Sequence, residues 1–189
     1  MKFLQKFHYN SPVILTFALI CLFAYWLNRL TGGWANLHLF STYRAGLTNP
    51  MMYLRLFGHV LGHVSWAHFM NNILMILLLG PMLEEKYGSK TLIEMIAITA
   101  VVTGVAHNLL QPHAALLGAS GIVYMLIVLS SIASMKDNRI PITFLLISII
   151  YIGGEILDGF QKDNISHMTH IIGGVCGGFY GLVLRGRKG

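Results

Sequence analysis

Long apolar runs separated by short polar breaks dominate this chain, and their lengths point to a lipid environment. Six runs read as membrane spans: Pro12–Leu30, Trp66–Leu83, Thr91–Leu110, Ser120–Met135, Ile140–Leu157 and His167–Leu184. About 20 apolar residues cross the ~30 Å hydrocarbon core as a helix. Several of these runs are shorter, so tilt or local thinning of the bilayer is expected. Backbone groups in lipid must be hydrogen-bonded internally, which makes each span a helix. The sequence has no internal repeat, low-complexity tract or linker. The expected architecture is all-α, a polytopic bundle of six transmembrane helices forming one domain over residues 1–189, with short tails at 1–11 and 185–189.

The segment from Thr31 to Ser65 breaks the pattern. It is too long for a simple connection and too apolar for a solvated loop, with Trp34, Leu37, Leu39, Phe40, Met51, Met52 and Leu54. Long ordered loops are often functional. This one is expected at the outer interface, partly as short amphipathic helices.

Composition agrees with the span pattern. The chain is 55% hydrophobic and only 11% charged, about half the charged fraction of ordinary soluble domains. The net charge of +6 does not indicate nucleic acid, because the basic residues fall in short clusters between apolar runs. Such clusters orient membrane helices. With the N-terminus in the cytoplasm, nine basic residues are inside (Lys2, Lys6, Lys86, Lys90, Lys136, Arg139, Arg185, Arg187, Lys188) and four outside (Arg29, Arg44, Arg55, Lys162). Both termini are therefore expected to be cytoplasmic. Lys2 and Lys6 before the first run resemble a signal peptide, but the run is long and no small-residue cleavage site follows, so an uncleaved first span is expected. Cys21 and Cys176 lie in apolar runs and read as buried small hydrophobes.

Polar groups within spans are costly, so they mark candidate chemistry. His68 and Asn72 open the second span, Ser120 the fourth, and His170 lies one turn into the sixth. All three spans run inward, which brings these groups to a similar depth. Asn72 follows His68 at i+4 on the same helix face, about 6 Å further along. Ser120 sits in Gly118-Ala119-Ser120-Gly121, where glycine allows a tight turn and free N–H groups of a helix start suit an oxyanion. Alone, such a cluster is more often a helix-packing surface. His170 begins a stripe continued by Gly173, Gly177 and Gly181, which predicts close packing against a neighbouring helix. If that helix is the fourth, His170 meets Ser120. Tyr124, four residues after Ser120, shares its face and can pack on the imidazole or simply fill the core. His59 and His63 are spaced for a metal, but no carboxylate accompanies them, and zinc hydrolase helices carry a glutamate between such histidines. Hydrogen bonding within the outer loop is the expectation for these two, and no metal or other cofactor is expected. His8, His38, His107, His113 and His167 receive no role. Glu155 and Asp158 could line a water path or gate in the fifth span.

Taken together, these residues resemble the rhomboid family. The ordered set is Arg55 and His59; His63, His68 and Asn72; Glu84 and Gly88; Gly118, Ser120, Gly121 and Tyr124; and His170, Gly173 and Gly177. It runs from about Leu54 to Gly177. Leu54, Lys86 and Thr169 stand where the family often has tryptophan, arginine and alanine. The resemblance implies a minimal six-helix bacterial form in the inner membrane, an intramembrane serine endopeptidase acting on transmembrane helices within the bilayer near its outer interface. It implies Ser120 as nucleophile and His170 as base in a dyad. The Ser120 N–H, His68 and Asn72 would stabilise the oxyanion, with Gly118, Gly121, Tyr124, Gly173 and Gly177 in support. The alternatives are a catalytically inactive rhomboid-like chaperone and a membrane transporter.

Overall fold

A computed structural model of the protein describes residues 8–135 and 165–185, with a few isolated positions between them. The described chain is helical: α1 (Pro12–Leu30), α2 (Trp34–His38), α3 (Pro50–Gly58), α4 (Trp66–Tyr87), α5 (Ser89–Leu110), α6 (Ser120–Ser134) and α7 (Ile165–Arg185). A 3-10 turn at His59–Leu61 follows α3. Four of the helices, α1, α4, α5 and most of α7, are long and apolar enough to cross a membrane, and α6 is a shorter apolar helix. The span expected at Ile140–Leu157, with Glu155 and Asp158, lies largely outside the described residues.

Five expected spans therefore have helices; the first keeps its expected ends, Pro12–Leu30, and others shift. α4 runs on past Leu83 to Tyr87 and α5 begins at Ser89 rather than Thr91. Hydropathy marks where a helix leaves lipid, not where it stops. The two helices meet at Gly88, whose φ of 84° suits glycine and whose N–H donates to the Glu84 carbonyl at 2.8 Å.

The start of α1 is stabilised from a distance. Ser11 gives it no side-chain cap. Instead, the buried Glu84 carboxylate accepts from Val13 N at 3.0 Å and Ile14 N at 3.1 Å, and from Ser89 Oγ at 2.7 Å. An anion here satisfies orphan N–H groups and favours the helix dipole. At the same end of the bundle, Lys86 Nζ donates to the Ala133 carbonyl in the last turn of α6.

α6 is the central helix. Gly121 through Ile127 are all buried, as is Leu129, the mark of a helix enclosed by neighbours on every side. Its main partner is α7, with α4 and α5 also against it. The segment before α4 forms the expected short helices. α3 is capped by Asn49, whose side chain accepts from Met51 N at 3.0 Å, and Pro50 occupies its first turn.

Candidate active site

The site is assembled where α4, α6 and α7 begin. Ser65 caps α4, its side chain accepting from His68 N at 3.1 Å, so His68 lies in the first turn. Asn72, one turn on, is buried and donates from Nδ2 to the His68 carbonyl at 2.9 Å. A primary amide has two N–H donors, so this bond orients Asn72 and uses one of them.

α6 starts abruptly after Gly118, whose φ of 129° lies in the region that favours glycine. The ring of His68 rests on this glycine: a methyl there would lie 2.8 Å from both Cε1 and Nε2. The Nε2 edge of His68 therefore faces the loop that ends in Ser120. The Gly118 N–H donates to the His59 carbonyl at 2.8 Å, which ties that loop to the segment before α4. Ser120 itself is half-buried, at the first position of α6, with no side-chain cap on the helix.

α7 lies along α6 in parallel register. A methyl on Gly173 would stand 2.2 Å from the Gly121 carbonyl oxygen, and one on Gly177 2.3 Å from that of Met125. The backbones touch only because both residues are glycine. The register carries His170, three residues before Gly173, to the upper end of α6. There it stacks on Tyr124, ring centroids 4.3 Å apart and planes within 10°. The structure thus gathers Gly121, Tyr124, His170, Gly173 and Gly177 along one seam, at the end of α6 that begins with Ser120. His68, Asn72 and Gly118 stand on the α4 side. Thr169 is also buried here, its methyl beside Gly121, so the residue in place of the family alanine fills the seam.

His59 and His63 are held in the segment before α4 by backbone carbonyls. His59 Nε2 donates to Ala100 O at 3.0 Å and His63 Nδ1 to Leu61 O at 3.1 Å. The second nitrogen of each ring is buried without a hydrogen-bond partner among the described residues. Burial pushes the pKa of His59 down to about 4, opposed by its bond to Ala100 and aided by nearby His107. His63 is likewise pushed down to about 4, first by burial and then by His68, whose ring meets it edge-on at 5.0 Å.

His107 is buried and donates from Nε2 to Ala114 O at 3.0 Å. Asn108 beside it donates to Thr42 Oγ1 at 3.0 Å, and Thr42 pairs with Leu116 in an antiparallel bridge. These residues brace the loop leading into Ser120. Arg55 is also buried and donates to the Tyr43 hydroxyl while lying 4.0 Å over its ring. No spacing signal links any of these partners in the sequence.

Residues 50–187 match the family model described as a Rhomboid domain. The chain is 28% identical over 137 residues to rhomboid protease GlpG of Haemophilus influenzae, covering 69% of this chain and 71% of that protein. It is 30% identical over 134 residues to rhomboid-related protein 1 of Caenorhabditis elegans, covering 65% of this chain and 37% of that one. Rhomboid protease GlpG of Yersinia pestis is 24% identical over 179 residues, 90% of this chain and 63% of that protein.

Proposed function

This chain is a member of the rhomboid family, an integral multi-pass membrane protein, and from that premise we propose that it is an intramembrane serine endopeptidase using Ser120 and His170. The observation that carries the proposal is the α6–α7 seam. Backbone contact at Gly173 and Gly177 holds the His170 ring on Tyr124, on the helix that Ser120 begins.

In this reading Ser120 Oγ attacks the scissile carbonyl while His170 takes its proton. The oxyanion receives the Ser120 N–H at the start of α6, Nε2–H of His68 and the second amide N–H of Asn72. The C–N bond breaks as His170 returns the proton to the leaving amine. Water, deprotonated by His170, then attacks the acyl ester and releases the acid and the serine hydroxyl. Tyr124 orients the imidazole by stacking, a task carried out by an acid in a triad.

The short α6 supports action within the bilayer. Its 15 residues span about 22 Å, less than the ~30 Å core, so it cannot reach both surfaces. The substrate is a transmembrane helix of another membrane protein, which must unwind locally because its carbonyls are engaged in i→i−4 bonds. The excess of Lys and Arg on one side supports cytoplasmic termini and, with them, a site near the outer interface. The bacterial relatives support an inner-membrane location.

A fluorophosphonate probe tests the dyad. Labelling is expected in wild type and lost in both Ser120→Ala and His170→Ala, together with cleavage of a model transmembrane substrate. Equal labelling of the variants removes the dyad. A folded wild type that neither labels nor cleaves belongs with the inactive relatives.

A further inference from the structure

His63 has no part in the dyad, yet its ring is fixed from several sides. Its Nδ1 lies 3.1 Å from the Leu61 carbonyl. A carbonyl only accepts, so Nδ1 carries the proton and Nε2 is a bare lone pair. Burial keeps the ring neutral at physiological pH, pushing its pKa down to about 4 with a second contribution from His68. The backbone is held as well. Asn36 Nδ2 donates to the His63 carbonyl at 3.1 Å, and Asn28 at the end of α1 accepts from Asn36 N at 2.9 Å. Phe69 meets the ring edge-on at 5.5 Å. With no exposed surface, His63 does not touch a substrate.

It touches the ring proposed to donate to the oxyanion. His63 and His68 meet at 5.0 Å between centroids, with planes 66° apart. The Cε1–Nε2 edge of His68 lies against Gly118, so Nε2 faces the loop that ends in Ser120. Its Nδ1 is buried with no hydrogen-bond partner among the described residues. An N–H there would be orphaned, and buried orphan N–H groups are rare. A neutral imidazole has one N–H and one lone pair. The proton therefore belongs on Nε2 for as long as Nδ1 stays dry. A His68 ring that is loose, or wetted at Nδ1, would share its proton between the two nitrogens and lose its aim.

Resting on Ser120 as nucleophile and His68 as oxyanion donor, we propose that His63 is a positioning residue: its immobilised ring holds His68 with Nε2 toward the Ser120 loop and keeps water from Nδ1, so that Nε2 carries the donated proton. His63 acts on the reaction only through His68.

The test follows cleavage of a model transmembrane substrate by the full chain in detergent, below the thermal midpoint of every variant. His63→Ala should lower kcat by about 10- to 100-fold, the cost of a misplaced group. KM should stay nearly unchanged, because an oxyanion donor acts in the transition state. In a His68→Ala background the same change should cost less than about twofold. His63→Gln, which can keep a bond to Leu61, serves if the alanine variant does not fold. Equal losses in both backgrounds overturn the positioning role and leave the dyad standing. Wild-type turnover in His68→Ala overturns the oxyanion assignment, and the role of His63 with it. Nitrogen NMR of ring-labelled histidines gives a readout independent of cleavage. At neutral pH the wild type should carry the His68 proton on Nε2 and the His63 proton on Nδ1. A His68 proton on Nδ1 overturns the proposal.

Discussion

Gly118 shows how one missing carbon can set up a site. It occupies a φ of 129° and also leaves the space taken by the His68 ring, whose Cε1 and Nε2 would each be 2.8 Å from a methyl there. Alanine would strain the backbone and displace the proposed oxyanion donor together. Loss of one such donor typically costs about 2.7–4 kcal/mol, or 100- to 1000-fold in rate. Gly118→Ala is expected to lower kcat/KM by about that factor. The backbone strain registers in stability, whereas the loss of rate runs through His68, so the Gly118→Ala/His68→Ala double variant should lose little more kcat/KM than His68→Ala alone. Losses that multiply in the double variant would show that Gly118 acts independently of His68.

At the scale of elements, α6 and α7 make the longest contact in the described bundle, and its glycines are not equivalent. Methyls at Gly173 and Gly177 would meet backbone carbonyls at 2.2 and 2.3 Å, whereas one at Gly181 would meet the Ile132 side chain at 2.7 Å. Side chains can move and helix backbones cannot. Overpacking costs typically 1–3 kcal/mol, so Gly177→Ala should lower the thermal midpoint clearly more than Gly181→Ala, measured in the same detergent. Equal shifts would mean that the helices separate freely. This seam was legible in the sequence because its small residues recur every four positions. The brief α6, beginning at Ser120, was legible from its apolar run. The Glu84 cap on α1 was not, since donor and acceptor lie 70 and 71 residues apart and no period joins them. The brace of Thr42, His107, Asn108 and Leu116 was hidden for the same reason: each partner is a single residue, and only the fold selects it.

At the scale of the molecule, the segment before α4 rests on the described bundle through neutral histidines. His59 reaches α5 through Ala100 and the loop of Gly118 through its own carbonyl. His59 and His63 are 1% and 0% exposed, and each is pushed down to about 4. Protonation would place a second N–H where no acceptor stands among the described residues. In an unfolded chain a histidine titrates near 6.5. Between about 6.5 and about 4 the unfolded state thus binds more protons than the folded one, and stability must fall as pH falls through that window. Above about pH 7 both states leave these rings neutral and the contribution is constant. The thermal midpoint in detergent should therefore be flat at neutral pH and decline below about 6.5. Since the same histidine holds the Gly118 loop, the proposed cleavage activity at a fixed temperature should be lost over the same range as the segment before α4 loosens. His59→Gln should start from a lower midpoint at neutral pH but decline less steeply in acid, because one of the two titrating groups is gone. A slope identical to wild type in both His59→Gln and His63→Gln would place the acid sensitivity elsewhere in the chain.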